Sequence, residues 1–100
     1  MGLYDGNVEI RFYIDPETGL PHLHGHDVTE AEVEEILLQP LEDRVGAEGA
    51  RIAVGCTSGG RYLRVVYVPD PTPRTVFVIT AYTLGAKAKR ALRRRRKRRK

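Results

Sequence analysis

The sequence predicts an α+β fold: a small antiparallel β-sheet with one main helix on one face and a basic C-terminal helix or tail. Three observations predict it. Residues 8–15, Val-Glu-Ile-Arg-Phe-Tyr-Ile-Asp, place Val8, Ile10, Phe12 and Ile14 on one face, the period-two pattern of a half-buried strand. Residues 29–40 open on Thr29-x-x-Glu32 and close on Pro40, which is the start and stop chemistry of a single helix. Three further strand-like runs, 50–56, 61–68 and 75–82, follow with short connections, and neighbouring strands so joined pair antiparallel. With 100 residues, 41% hydrophobic and 30% charged, the chain makes one small domain and is not disordered throughout.

Each element has its local reason. Pro16 to Pro21 reads as a turn, because Asp15-Pro-Glu-Thr-Gly19 is turn chemistry, so His22 to His26 is expected to return as the second strand of a hairpin. In the helix, the Thr29 hydroxyl can accept from the Glu32 amide while the Glu32 carboxylate reaches back. Val28 and Val33 are spaced as a hydrophobic staple. Val33, Ile36 and Leu37 form its apolar face, and early acids suit the helix N-terminus. Asp43 to Gly49 reads as a polar loop. Thr57-Ser58-Gly59-Gly60 is a hairpin turn between the first two of the three later strands. Pro69 to Pro73 holds three prolines and cannot be strand interior. After Gly85, Lys87 to Leu92 has helical composition, and residues 93–100 hold no apolar side chain and are expected to be disordered when unbound. The domain division expected is 1–86 for the body and 87–100 for the polybasic segment.

The formal net charge of +4 conceals a division. Residues 87–100 carry 11 of the 17 basic side chains and none of the 13 acids, so the segment is +11 and the body is −7. Such a segment binds polyanions with an affinity that falls steeply with salt, and phosphate contacts alone carry no sequence information. There is one cysteine, Cys56, so no internal disulfide can form and a cytoplasmic, reducing setting is the default expectation. No apolar stretch is long enough for a membrane span, and Met1 to Arg11 lacks the pattern of a signal peptide.

Strand alternation assigns faces. Ile52, Val54 and Cys56 share one face of the first later strand, which makes Cys56 a buried thiol. Leu63, Val65 and Tyr67 oppose Tyr62, Arg64, Val66 and Val68 on the next. On the last, Phe77, Ile79 and Ala81 oppose Val76, Val78, Thr80 and Tyr82. One helix covers one face, so the other is expected to present Arg51, Arg64, Thr80 and Tyr82 among valines. That face can hold nucleic acid through guanidinium–phosphate contacts and base stacking. It can equally be an open face on which arginine stems cover valines.

These residues also resemble a family. His24-Gly25-His26-Asp27-Val28-Thr29-Glu30-Ala31-Glu32-Val33-Glu34-Glu35-Ile36-Leu37-x-x-Pro40 is similar to the "H-G-(hydrophobic)-(S/T)-x-x-E/D … P" helix of BrnT-like toxins. Arg51-Ile-Ala-Val54-Gly55-x-Thr57-x-x-Gly60-Arg61-Tyr-Leu63-x-Val65-Val66 resembles their "R-x-(hydrophobic)-x-G-x-T-x-x-G-R-x-L-x-V-V" strand-turn-strand unit. Val78-Ile79-Thr80-Ala81-Tyr82 stands where they have "I-I-S-A-R", before a basic segment. The resemblance, over residues 10–92, implies a RelE-like fold, metal-independent ribonuclease activity in a type II toxin–antitoxin pair, RNA as target (mRNA or ribosome) and a small antitoxin as partner. Two positions depart from the pattern. Tyr82 replaces the family's arginine, and Leu23 replaces the Lys or Arg usual before His-Gly.

Metal-free RNA cleavage needs a base for the 2′-hydroxyl, cations for the phosphorane and an acid for the 5′-oxygen. Arg51, Arg61 and Arg64 are the candidate clamp. Tyr82 can stack a base or donate a proton, and His24 or His26, or the nearby His22, can act as base. Nucleic-acid binding is expected from Arg64, Thr80, Tyr82, Lys87, Lys89, Arg90, Arg93, Arg94, Arg95 and Arg96. His22, His24 and His26 would share one face of a strand, a spacing that zinc can use. A site needs a further ligand, and Asp15 and Asp27 are near in sequence only, so polar histidines beside a turn are the favoured reading, and neither metal nor cofactor is expected. The alternatives to a toxin are a non-catalytic nucleic-acid-binding or ribosome-associated module, and a structural domain whose open face joins two copies as a homodimer.

Overall fold

The computed structural model describes residues 8–70 and 75–98, apart from the side chain of Arg98. Five strands and two helices follow one another as β1 (Glu9–Phe12), α1 (Glu30–Leu38), β2 (Glu42–Val45), β3 (Arg51–Cys56), β4 (Tyr62–Pro69), β5 (Thr75–Thr83) and α2 (Ala86–Arg98), with a 3-10 turn at His22–His26 between β1 and α1. The protein is α+β. The sheet order is β1-β5-β4-β3-β2.

The three strands read from alternation lie where the sequence puts them, within a residue at either end. The sheet is mixed rather than antiparallel, because β1 runs parallel to β5 while the other three pairings are antiparallel. The adjacency rule that predicts antiparallel pairing applies to β2–β5, which follow one another through short connections. β1 joins β5 from far upstream, so no tight turn fixes its direction.

Two further elements differ from expectation. Asp43 to Gly49 is not wholly loop: Glu42–Val45 forms β2 against β3. Its Glu-Asp-Arg-Val sequence has no apolar alternation, and its polar side chains fix it instead. Asp43 Oδ1 accepts from Arg51 Nε at 3.0 Å, and Asp43 Oδ2 accepts from the Tyr67 hydroxyl at 2.7 Å. The expected hairpin return at His22 to His26 is reduced to one bridge, Ile14 to Pro21. Beyond Pro21 the chain coils and buries Leu23.

α1 forms as its sequence directs. Thr29 Oγ1 accepts from the Glu32 amide at 3.2 Å, and Glu32 Oε1 accepts from the Thr29 amide at 3.0 Å. Val33, Ile36 and Leu37 pack with Leu23, Val28, Ala53, Leu63, Val65, Tyr67, Val76, Val78 and Ala81 in the main core. The helix crosses β3 at Gly55, where an added Cβ would lie 3.2 Å from Ile36 Cδ1.

Two assignments of faces change. Ala53 pairs with Val65 and Arg51 with Tyr67, so Arg51 points to the α1 side, and Ile52, Val54 and Cys56 point to the other. In β5 the register shifts: Val66 pairs with Thr80 but Tyr67 with Val78. Ile79 is left as the extra residue of a β-bulge. Strict alternation therefore fails at Ile79, and Val76, Val78 and Ala81 all reach the core.

The second face is not wholly open. α2 lies on it, with Leu84, Leu92 and Ala88 packed against Val54, Ile52, Leu41 and Tyr62. The helix continues to Arg98, so residues 93–98 are helical and not disordered as their lack of apolar side chains suggests; residues 99–100 lie outside the described part. Arg, Lys, Ala and Leu are good helix formers, cations favour a helix C-terminus, and two of the last-turn arginines are tied to β2 and to the residue before it. Arg95 donates to both oxygens of Glu42 at 2.7 and 2.8 Å, and Arg96 to the Leu41 carbonyl at 3.0 Å. Among the described residues no helix is long and apolar enough to cross a membrane.

Candidate nucleic-acid interface

The α2-bearing face of the sheet divides in two. α2 covers the β3 and early β4 part. Beyond it, the same face carries Arg64, Val66 and Val68 from β4, and Phe77, Thr80 and Tyr82 from β5. Arg11 of β1 completes it, with its guanidinium 5.2 Å from the Phe77 ring centroid and an ion pair to Asp70.

Arg64 and Tyr82 are direct cross-strand partners. The Arg64 guanidinium stands 5.9 Å from the Tyr82 ring centroid, within cation–π range. From Tyr82 a row of rings leads away along the edge of β5 that β1 leaves uncovered. Tyr82 meets His26 edge-on at 5.9 Å, His26 meets His22 at 5.3 Å, and His22 meets Tyr13 at 6.0 Å. The 3-10 turn makes this row. In a strand the three histidines would share one face; coiled, His22 and His26 turn to β5 while His24 turns to α1, where its Nε2 lies 2.7 Å from Glu30 Oε1. That hydrogen bond holds the Glu30 carboxyl below its usual range. No cluster of three or more metal-ligating side chains exists among the described residues.

The candidate catalytic set is only partly assembled. Arg64, Tyr82 and His26 meet. Arg51 lies on the opposite face, where its bond to Asp43 raises its pKa further. Arg61, at the start of β4, donates to the Asp27 carbonyl at 3.0 Å and to Glu32 at 2.9 Å. It fastens the capped end of α1 to the hairpin. His24 is bound to Glu30, away from the rest.

Of the basic residues expected to bind nucleic acid, Lys87, Arg90, Arg93, Arg94 and Arg96 are exposed. Lys89 sits 5.9 Å over the Tyr62 ring, next to Arg64 along the same face of β4. Arg95 instead serves the fold: Glu42 is only 9% exposed, and the pair raises the arginine's pKa. Arg90, Arg93, Arg94 and Lys97 make no ion pair among the described residues. Cys56 is exposed rather than buried, because the face that alternation gave it lies at the rim of α2. With Leu41, Tyr62 and Leu92 it floors an open groove of about 900 Å³ under the helix's cations.

The charge is thus sorted by face. Glu30, Glu32, Glu34 and Glu35 lie on α1 and the free cations lie on α2, with the sheet between them. A polyanion is attracted to one side and repelled from the other. Tyr13 was not singled out from sequence, and His22 only as an alternative base and as one of three histidines in a zinc-like spacing. The signal was the spacing His22-x-x-x-His26 after Pro21, which aligns two rings only if the segment coils. The chain matches no family model, no curated protein and no solved structure.

Proposed function

We propose that this protein binds single-stranded RNA on the face formed by α2 and the exposed part of β4 and β5, as a non-catalytic binding module. The observation that carries this reading is the continuity of two surfaces. A helix with unpaired cations lies beside an arginine, an exposed histidine, and a tyrosine and a second histidine that are half-buried, which combines a backbone-tracking charge with stacking platforms. The absence of a three-arginine clamp favours binding over cleavage, since Arg51 and Arg61 are each engaged by carboxylates elsewhere. The RelE-like, BrnT-like architecture belongs to the same proposal, supported by the order of helix, β3–β4 hairpin, β5 and basic helix.

A metal-independent ribonuclease toxin with an antitoxin partner is the second reading. It is favoured by the meeting of His26, Tyr82 and Arg64, a base, an acid and a cation on one surface.

Fluorescence anisotropy of a labelled single-stranded RNA across a salt series tests the binding. The full chain is expected to bind with a steep salt dependence. Arg90→Gln, Arg93→Gln and Arg94→Gln together should reduce the log–log slope by about 2, from the loss of three phosphate contacts. An unchanged slope would contradict a role for α2. Gel analysis of the same RNA in EDTA should show it intact; cleavage abolished by Arg64→Ala would favour the toxin reading instead.

A further inference from the structure

The open groove beside α2 has a volume of about 900 Å³, the size of a small-molecule site. Its floor is Leu41, Cys56, Tyr62 and Leu92, and every other side chain lining it is an arginine or lysine of α2. The floor can be reached: Cys56 is exposed, Leu41 and Tyr62 are half-buried, and the buried Leu92 closes the base. Arg90, Arg93, Arg94 and Lys97 follow one another at spacings of three and four residues, so they stand along one side of the helix as a cationic wall about 10 Å long. Like charges so spaced repel, and an anion placed among them relieves the repulsion.

A phosphate backbone would satisfy this wall and leave the floor wet. A nucleobase does not suit the floor either. Its edge carries donors as well as acceptors, and the only uncharged polar side chains in the lining are the Tyr62 hydroxyl and the weakly accepting Cys56 thiol,. A donor buried without a partner is costly. The Tyr62 ring already carries Lys89, 5.9 Å from its centroid. An acceptor-only anionic head on an apolar chain uses wall and floor together.

We propose that this groove binds a single-chain anionic amphiphile of the fatty-acid class, its carboxylate among Arg90, Arg93, Arg94 and Lys97 and its chain along Leu41, Cys56 and Tyr62. The inference goes beyond the RNA reading and shares only its cations, so amphiphile and RNA compete for α2.

Isothermal titration calorimetry of the full chain with hexanoate, octanoate and decanoate, each below its micelle concentration, tests it, with decyl glucoside as the neutral control. A CH2 wholly removed from water strengthens binding about fourfold, so even along an open groove decanoate should bind about tenfold more tightly than hexanoate, or better. Decyl glucoside should bind about tenfold more weakly than decanoate, having no charge for the wall. Decanoate should also slow alkylation of Cys56 by iodoacetamide, a neutral reagent. Cys56→Trp, which fills the floor and leaves every cation, should remove the dependence on chain length. No binding, or equal affinity along the series, would overturn the proposal. So would alkylation unaffected by saturating decanoate, because the chain would then lie elsewhere. Protection of Cys56 that grows with protein concentration alone would give the groove to a second copy instead. RNA that binds and is not displaced by saturating decanoate would overturn the placing of the carboxylate on α2. Decanoate binding that depends on chain length, in a protein that binds no RNA, would uphold the groove and retire the RNA reading alone.

Discussion

Tyr67 shows how a single side chain ties the middle of the sheet to its β2 edge. Its ring is buried in the α1 core and its hydroxyl donates to Asp43 of β2, which also holds Arg51 of β3. Burial, and then the Asp43 carboxylate, push the phenol's pKa well above its ordinary value. The unfolded phenol ionises at about pH 10. With the folded pKa raised above it, the stability from this group is fully present below pH 10 and is lost as the pH climbs toward the folded value. Tyr67→Phe should cost about 2 kcal/mol at neutral pH, since it removes a hydrogen bond to a charged group. The variant should also lose less stability than the parent between pH 9 and about 11. Urea midpoints across that range check both; parallel pH profiles would mean that the phenol titrates normally. Arg51 belongs to this structural network. Its placement could not be read from alternation alone, because the face depends on the register with β4, and the register is a property of the pair.

At the scale of elements, α2 combines good helix formers with charges that oppose the helix. Its outer surface sets like charges three and four residues apart, such as Arg90 with Arg94 and Arg93 with Lys97, and such pairs weaken an isolated helix. Docking compensates, through Leu84, Ala88 and Leu92 and through the two-pronged Arg95–Glu42 contact. Arg95→Leu should therefore loosen the helix, at a cost of about 2 kcal/mol, and speed amide hydrogen exchange throughout 89–97 while exchange in β4 stays slow. Unchanged exchange in α2 would show that the apolar contacts suffice. What composition revealed was a charged segment of helical character. What it could not reveal was that one arginine among eleven cations meets a buried glutamate on a strand that itself carries no strand pattern. Glu42–Val45 and the 3-10 turn at His22–His26 were illegible for one reason: both are set by contacts distant in sequence. The capping box of α1 and the Thr57–Gly60 turn are local, and both formed as written.

Over the whole molecule, the sheet separates an acidic helix from a basic one and leaves an arginine–tyrosine–histidine surface beside the basic side. The division of charge between body and C-terminal segment was plain in the sequence. Its arrangement across two faces was not, since the sequence suggested a loose tail beside an uncovered sheet. The candidate site was half legible: Arg64, Thr80 and Tyr82 were placed by alternation, while Arg51 and Arg61 are drawn off by carboxylates and His22 and Tyr13 join through the turn. RNA neutralising α2 should also relieve its internal repulsion, so binding and helix stability rise together. The measurement that tests this account most directly is a backbone amide NMR titration of the ¹⁵N-labelled chain with a short single-stranded RNA at physiological salt. The account predicts perturbations along α2 and at Tyr62, Arg64, Thr80, Tyr82 and His26, with α1 silent. Perturbations centred on α1 and the Arg51–Asp43 side, or none at saturating RNA, would contradict it.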